Sequence, residues 1–194
     1  MSGVIVKTYP APPISERDAL RYAGGAVSEE AKGLLKLAID EAGSVFSYKL
    51  CYTVCDVFVN GDTVDFGFFK TESKALAKNL SGAGRAVIFA ATVGFEIDRL
   101  IMKYARLSPS RALMLGALGA ERIESLCDVF CEDMKKIHGI CAPRFSAGYG
   151  DLSIEVQREI FKLLKPQTKI GLTLTDSMLM SPTKSVTAFI GIGK

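Results

Sequence analysis

SYKLCYTVCDVFVNGDTVDFGFF, residues 47–69, contains two runs that alternate apolar and polar side chains and are rich in β-branched and aromatic residues. Asn60 and Gly61 lie between the two runs, and this dipeptide is typical of the tight turn that joins antiparallel strands. The stretch therefore predicts a β-hairpin. RAVIFAATVG, residues 85–94, is apolar almost throughout and predicts a further, buried strand.

Helical patterns surround these strands. Ser15 and Ser28 are each followed by acidic residues and predict N-caps, and the second of these helices ends near Gly43. Residues 72–80 and 96–107 also have helical character. Pro109 is favoured at a first helical position and predicts the start of the longest helix, which runs to about Lys136. Its apolar stripe leaves Glu121, Asp128, Glu132 and Lys135 largely to the solvent side, with Glu124 at the edge of the stripe.

The C-terminal part predicts one more helix over residues 152–164, with Ser153 as its cap and Lys165-Pro166 as its end. Two β-rich stretches, residues 169–180 and 184–193, follow this helix. Helices mixed with mainly antiparallel strands indicate the α+β class, or an α/β fold without regular βαβ alternation. The length of 194 residues predicts one domain over residues 1–194.

Composition limits the classes of partner. Hydrophobic residues make up 48% and charged residues 23% of the chain, which is typical of a folded globular protein. A net charge of +3 without a block of Lys or Arg predicts no nucleic-acid partner. The N-terminus does not have the pattern of an export signal, and no apolar run is long enough to span a bilayer. We therefore expect a cytoplasmic protein without a membrane partner.

The chain has five cysteines, an odd number that favours reduced thiols over a disulfide framework. Cys51 and Cys55 share one strand face and are expected in the core. Cys127, Cys131, His138 and Cys141 form the pattern C-x3-C-x6-H-x2-C, which fits no common zinc spacing. We expect no metal site, and whether these four residues bind anything remains open at this stage.

RFSAGYGD, residues 144–151, fits neither a helix nor a core strand, because two glycines flank its tyrosine. Arg144 has a planar cation that matches carboxylate or phosphate groups in two places, and a nearby glycine lets a ligand approach the backbone. Tyr149 and Asp151 lie just before the predicted helix, whose free amides favour anions. The alternative is an arginine paired with a surface acid beside turn glycines.

The loop and a later stretch, TDSMLMSPTKSV at residues 175–186, together resemble the activation domain of cobalamin-dependent methionine synthase. The matching patterns are R-x-x-x-G-Y and T-[ED]-S-x-x-M-x-P-x-x-S-V, in the same order and at the same separation. The resemblance covers roughly residues 115–192. It implies a curved, mainly antiparallel sheet with packed helices.

The resemblance also implies a site for S-adenosylmethionine. Arg144 would hold the ligand carboxylate, and Glu124 on the long helix would face the positively charged end of the ligand. Backbone groups of Ser146, Ala147 and Gly148 would contact the adenosyl part, and Tyr149 would face the ligand or the corrin. No catalytic side chain is implied, because methyl transfer from a sulfonium to cobalt needs neither a protein nucleophile nor a base. A further acid of the family corresponds to His138 in this chain.

The implied function is the reactivation of a cobalamin-dependent methionine synthase, or of a related corrinoid methyltransferase, by reductive methylation of cob(II)alamin. The chain would act in trans on a cobalamin-binding methionine synthase that lacks its own activation domain, and a flavodoxin-like protein would donate the electron. Whether the chain itself counts as a methyltransferase component is left open, since the cobalamin belongs to the partner. A docking module that caps the cobalamin domain without binding S-adenosylmethionine is the alternative. A cysteine-ligated cluster protein that supplies the electron is a third hypothesis.

Overall fold

A five-stranded antiparallel sheet lies at the centre of the computed structural model, which describes residues 3–25 and 28–193. In chain order the strands are β1 (Ile5–Tyr9), β2 (Tyr48–Asp56), β3 (Phe58–Asn60), β4 (Thr63–Asp65), β5 (Lys70–Glu72), β6 (Arg85–Thr92), β7 (Phe145–Ser146), β8 (Thr173–Leu174), β9 (Met180–Ser181) and β10 (Ser185–Ile192). The helices are α1 (Glu16–Tyr22), α2 (Glu29–Ala42), α3 (Lys74–Leu80), α4 (Glu96–Leu107), α5 (Pro109–His138), α6 (Val156–Leu164) and α7 (Pro166–Ile170).

The main sheet has the strand order β1-β2-β6-β10-β7, and each neighbouring pair is antiparallel. β3, β4 and β5 form a second antiparallel sheet, and β8 pairs with β9. The α+β class predicted from the sequence is confirmed.

The position of β6 between two cores explains why its sequence is apolar on both faces. Val87, Phe89 and Ala91 face a core formed with α5, whereas Ala86, Ile88 and Ala90 face a second core, to which α3, α6 and α7 contribute. The strand is central, and helices cover both faces of the sheet around it. The predicted buried strand is therefore confirmed.

Most helix boundaries follow the sequence. Ser15 and Ser28 are the N-caps of α1 and α2, and Pro109 is the first residue of α5, which has 30 residues. The predicted start of α6 is wrong. The helix begins at Val156 after an additional turn, in which the Ser153 hydroxyl accepts a hydrogen bond from the Glu155 amide.

None of the helices within the described residues combines the length and the apolar character that crossing a bilayer requires.

Candidate functional site

Arg144 is the last residue of the segment that connects α5 to β7, and its guanidinium contacts two acids of α5. One terminal nitrogen donates to Glu124 and the other donates to Asp128. The two acids are four residues apart, so they lie on one face of the helix, one turn from each other. The Arg144 side chain is only 24% exposed. The structure thus brings together Arg144 and Glu124, which the sequence proposed for the same site, and adds Asp128.

The surroundings of Arg144 keep it charged. Burial alone would lower the pKa of its guanidinium, but the hydrogen bond to Asp128 and the negative charges near it, including that of Glu124, raise the pKa above its usual value. The side chain is therefore a permanent cation that is partly desolvated. Such a cation binds an anion more strongly than one in bulk water.

Two cavities open on either side of Arg144, and both are also lined by Asp128. A cleft of about 730 Å³ lies against the last turns of α5 and the residues that follow the helix, and its lining includes Cys131 and Pro143. A smaller cavity of about 150 Å³ lies between α1 and α5. Four carboxylates and two guanidiniums line the smaller cavity, so that its lining is acidic overall: Asp18, Glu121, Glu124 and Asp128 with Arg21 and Arg144.

The wall that α1 contributes is held in place by a buried ion pair on α5. Glu121 and Arg122 are each 1% exposed, and the Glu121 carboxylate accepts from the Ser15 amide at 3.0 Å. Arg122 donates to the carbonyls of Pro12 at 2.6 Å and Pro13 at 2.7 Å. The expectation that Glu121 faces solvent is therefore wrong, because the segment that leads into α1 crosses α5 at this point. We call this set of contacts the α1 anchor.

The loop after Arg144 is built from tight local contacts. Ser146 pairs with Ala188 of β10, and Ala147 is buried. The Gly148 amide donates to the Leu152 carbonyl at 3.0 Å, and Gly148 has a φ of 83°. A β-carbon at position 148 would lie 2.8 Å from Cδ1 of Ile154, and the positive φ disfavours any residue with a side chain.

Tyr149 projects from this loop and is 69% exposed, with its ring edge-on to Phe145. None of residues 146–149 lines either cavity beside Arg144 in the described part of the chain. The structure therefore places Arg144 and Glu124 together and the loop residues nearby, with Tyr149 directed outward. The contacts of residues 146–148 with an adenosyl group, and of Tyr149 with the ligand or the corrin, stay predictions.

Asp151 has a role that the sequence did not indicate. Its carboxylate accepts from the Ser73 hydroxyl at 2.5 Å and from the amides of Lys74 at 2.8 Å and Ala75 at 3.2 Å. It therefore occupies the N-terminus of α3, and not that of the helix that follows it in sequence. The partners are 76 to 78 residues away, beyond the reach of a local pattern.

Residues 175–186 form a compact turn around β8 and β9. The Thr175 hydroxyl accepts from the Leu179 amide at 3.1 Å, and the Ser185 hydroxyl donates to the Pro182 carbonyl at 2.8 Å. Met178 is buried. These contacts give the polar residues of this stretch a role in maintaining the fold.

The cysteines and the histidine do not converge. Cys51, Cys55 and Cys127 are buried, and burial raises the pKa of the Cys51 and Cys55 thiols to about 11. Cys131 and Cys141 both line the larger cleft. Within residues 3–25 and 28–193, no three His, Cys, Asp or Glu side chains are arranged to hold a metal ion.

Sequence reasoning missed Asp128 and the three residues of α1 that line the smaller cavity, Asp18, Arg21 and Tyr22. Asp128 could have been predicted from the sequence, because its spacing of four from Glu124 places both acids on one helix face. The contribution of α1 depends on the α1 anchor, a contact between residues more than 100 positions apart, and no local pattern indicates it.

Residues 136–193 match the family model described as the vitamin B12 dependent methionine synthase activation domain. This segment contains both motifs that carry the resemblance in sequence, and it makes up less than a third of the chain. A search among curated proteins found no match.

The fold is similar to that in the crystal structure of the MetH reactivation domain bound to AdoHcy. The TM-score is 0.77 and the sequence identity is 17%, and the alignment covers 98% of this chain and 78% of that chain. A likeness at this identity establishes the fold. The predicted resemblance is thereby confirmed, by the family model over residues 136–193 and by the fold over almost the whole chain.

Proposed function

We propose that this activation-domain-like chain binds S-adenosylmethionine beside Arg144 and supports the reductive methylation of cob(II)alamin in a cobalamin-dependent methionine synthase or a related corrinoid methyltransferase. The observation that carries the proposal is the position of Arg144. It lies in the segment that matches the activation-domain family, and its partly desolvated cation stands between two cavities.

The charges beside Arg144 suit the groups of this ligand. S-adenosylmethionine has a carboxylate, an ammonium and a sulfonium. The Arg144 guanidinium can hold the carboxylate through two hydrogen bonds. Glu124 and Asp128, which now neutralise the guanidinium, are then available to the ammonium and the sulfonium.

The available space also suits the ligand. Ligand sites have volumes of about 300 to 1,000 Å³, and the larger cleft of about 730 Å³ falls in this range, whereas the smaller cavity of about 150 Å³ does not. The amino-acid part would lie at Arg144 in the larger cleft, and the adenosyl part would extend out of the cleft, whose lining ends at Arg144, towards the loop that follows Arg144. Ser146, Ala147 and Gly148 are the proposed contacts of the adenosyl part, and the exposed ring of Tyr149 would meet the ligand or the corrin.

The chemistry requires positioning more than functional side chains. A flavodoxin-like donor would add one electron to cob(II)alamin and give cob(I)alamin. The reduced cobalt would attack the methyl carbon of the sulfonium, and the carbon–sulfur bond would break as the carbon–cobalt bond forms, leaving S-adenosylhomocysteine. Neither step requires a nucleophile or a base from this chain. Holding two reactants in line supplies a large part of the rate enhancement of such a reaction.

The partner would be a methionine synthase that lacks its own activation domain, so that this chain would act in trans, in the cytoplasm and as one domain over residues 1–194. A gene for such a shortened synthase in the same genome would support this arrangement.

Calorimetry with S-adenosylmethionine and S-adenosylhomocysteine tests the ligand site. We expect the Arg144→Met variant to bind about 10- to 100-fold more weakly, because a hydrogen-bonded charge pair contributes about 1.5–3 kcal/mol. Arg158→Met is the matched control, since Arg158 contacts Glu155 and the Asp176 carbonyl, away from both cavities. Equal affinity of wild type and Arg144→Met would contradict the proposal.

Absorbance of methylcobalamin, formed with the partner and a reductant, then tests the reaction.

One observation favours the alternative, a docking module that caps the cobalamin domain without binding this ligand. Arg144 already has two acidic partners, which a ligand carboxylate must displace. The alternative predicts tight binding of the cobalamin-bearing partner and no heat of binding with S-adenosylmethionine, whether or not the partner is present.

A further inference from the structure

The side chain of Lys184 packs against α5 at Gly119. A β-carbon on Gly119 would be 3.0 Å from Cγ and 3.2 Å from Cε of Lys184, so the lysine stem occupies the space of a missing side chain. The preceding residue, Thr183, is fixed by the buried Asp98 of α4. The Asp98 carboxylate accepts from the Thr183 amide at 2.7 Å and from its hydroxyl at 2.6 Å. The placement of the lysine is therefore specific.

Within residues 3–25 and 28–193, the Lys184 ammonium forms no hydrogen bond and no ion pair. Burial lowers the pKa of this group, and the charge of Asp98 offsets the effect only in part. An incoming carboxylate would accept a hydrogen bond from the ammonium and raise its pKa again.

Exposed apolar side chains surround the lysine. Two depressions meet at Lys184 and Gly116. One, of about 330 Å³, is lined by Phe95 and Met102, and the other, of about 370 Å³, by Leu113 and Tyr22. Phe95, Met102 and Leu113 are 47%, 61% and 58% exposed. Apolar side chains exposed together in this way mark interaction sites.

This surface is continuous with the smaller cavity beside Arg144, which Glu124 and Asp128 also line. Tyr22 lines both the depression at Leu113 and the smaller cavity beside Arg144. Along α5 the lining extends from Ala112 to Asp128, which is about 24 Å at the rise of an α-helix. A protein that presents a reactant to the ligand at Arg144 would therefore lie next to this surface.

We propose that the surface formed by Phe95, Met102, Lys184, Leu113 and Tyr22 docks the corrin-carrying protein, which presents an acidic side chain to Lys184 among apolar side chains. The Lys184 ammonium would pair with an acidic group of the partner, and continuity with the cavity beside Arg144 selects the corrin-carrying protein, whose identity rests on the proposed function. We call these five residues the α4–α5 surface.

Binding of a cobalamin-loaded fragment of the methionine synthase from the same organism tests the inference. We expect Lys184→Glu to weaken binding at least tenfold, and the double variant Phe95→Ser/Met102→Ser to weaken it to a similar degree. Lys78→Glu on α3 and Phe58→Ser on β3 are matched controls, because both residues are exposed and belong to elements that pack in the second core. Both controls should bind within about twofold of wild type. Higher salt should weaken wild type more than Lys184→Met.

Calorimetry of each variant with S-adenosylhomocysteine, without the partner, separates this inference from the proposed function. Unchanged affinity for the nucleotide together with lost docking supports a distinct docking surface. Full docking by Lys184→Glu overturns the inference and leaves the Arg144 site intact. Loss of nucleotide binding in Lys184→Glu also overturns it, since the lysine would then belong to the ligand site. If wild type does not bind the fragment, the inference fails, and the nucleotide titration alone then decides the ligand-binding part of the proposed function.

Discussion

Asp151 illustrates, at the scale of one residue, how a carboxylate stabilises a helix that is distant in sequence. It accepts from two amides at the N-terminus of α3 and from Ser73, the N-cap of that helix. Negative charge is favourable at this end of a helix. These contacts tie the loop that follows Arg144 to α3, so the same residue helps to fix the position of Tyr149.

We predict that Asp151→Asn lowers the Tm, and that the decrease depends on pH. The hydrogen bond from Ser73 and those from the backbone amides hold the pKa of Asp151 below its ordinary value. The stabilisation is therefore complete above about pH 4, the ordinary value of an aspartate, and is lost as the pH falls through the lowered folded value. Thermal unfolding of both proteins between pH 7 and pH 2 measures this. Asp40→Asn on α2 is the control, and a Tm difference that stays constant down to pH 2 would refute the assignment.

The α1 anchor belongs to the scale of secondary-structure elements, because it attaches the segment before α1 to the middle of α5. The sequence predicted both helices and their N-terminal ends, which depend on residues close in the chain such as Ser15 and Pro109. It did not predict how the helices pack. Glu121 follows the polar spacing of a solvent-facing residue, and only the distant Pro12 to Ser15 segment makes its burial favourable.

Arg122→Met should destabilise the protein by about 3–5 kcal/mol, because it leaves the Glu121 carboxylate buried without its cation. Glu121→Gln/Arg122→Met removes the uncompensated charge and should recover part of this loss. Urea unfolding followed by circular dichroism gives both values. Lys135→Met, which removes an exposed ion pair with Glu132, should unfold like wild type. Equal stability of the single and the double variant would argue against a buried ion pair at this position.

The whole molecule is organised by one sheet with a core on each face. Phe89 of β6 packs with Phe130 of α5 in one core, while its neighbour Ile88 contributes to the other core. The sequence predicted the class and most of the longer strands, since alternation and Asn60-Gly61 are local features, but it did not predict β1, β7 or the short helix α7. Three features depend on contacts between residues far apart in the chain, and a single sequence does not reveal such contacts. They are the strand order, the α1 wall of the site and the contact of Asp151 with α3.

We predict that Phe89→Ala destabilises the protein by about 3–5 kcal/mol and loosens both cores together, because β6 is shared between them. Hydrogen exchange followed by mass spectrometry should show protection falling to a similar extent in α5 and α6. Loss of protection in α5 with unchanged protection in α6 would show that the two layers unfold independently.

The buried thiols have a practical consequence. Cys127 belongs to one core, and Cys51 and Cys55 belong to the other. Cys51 and Cys55 are buried, and burial raises the pKa of their thiols to about 11, so an alkylating reagent reacts with them only after the surrounding layer opens. The chain thus contains a native chemical reporter on each side of its sheet, and mass mapping of labelled peptides would time the opening of each layer without any engineered probe.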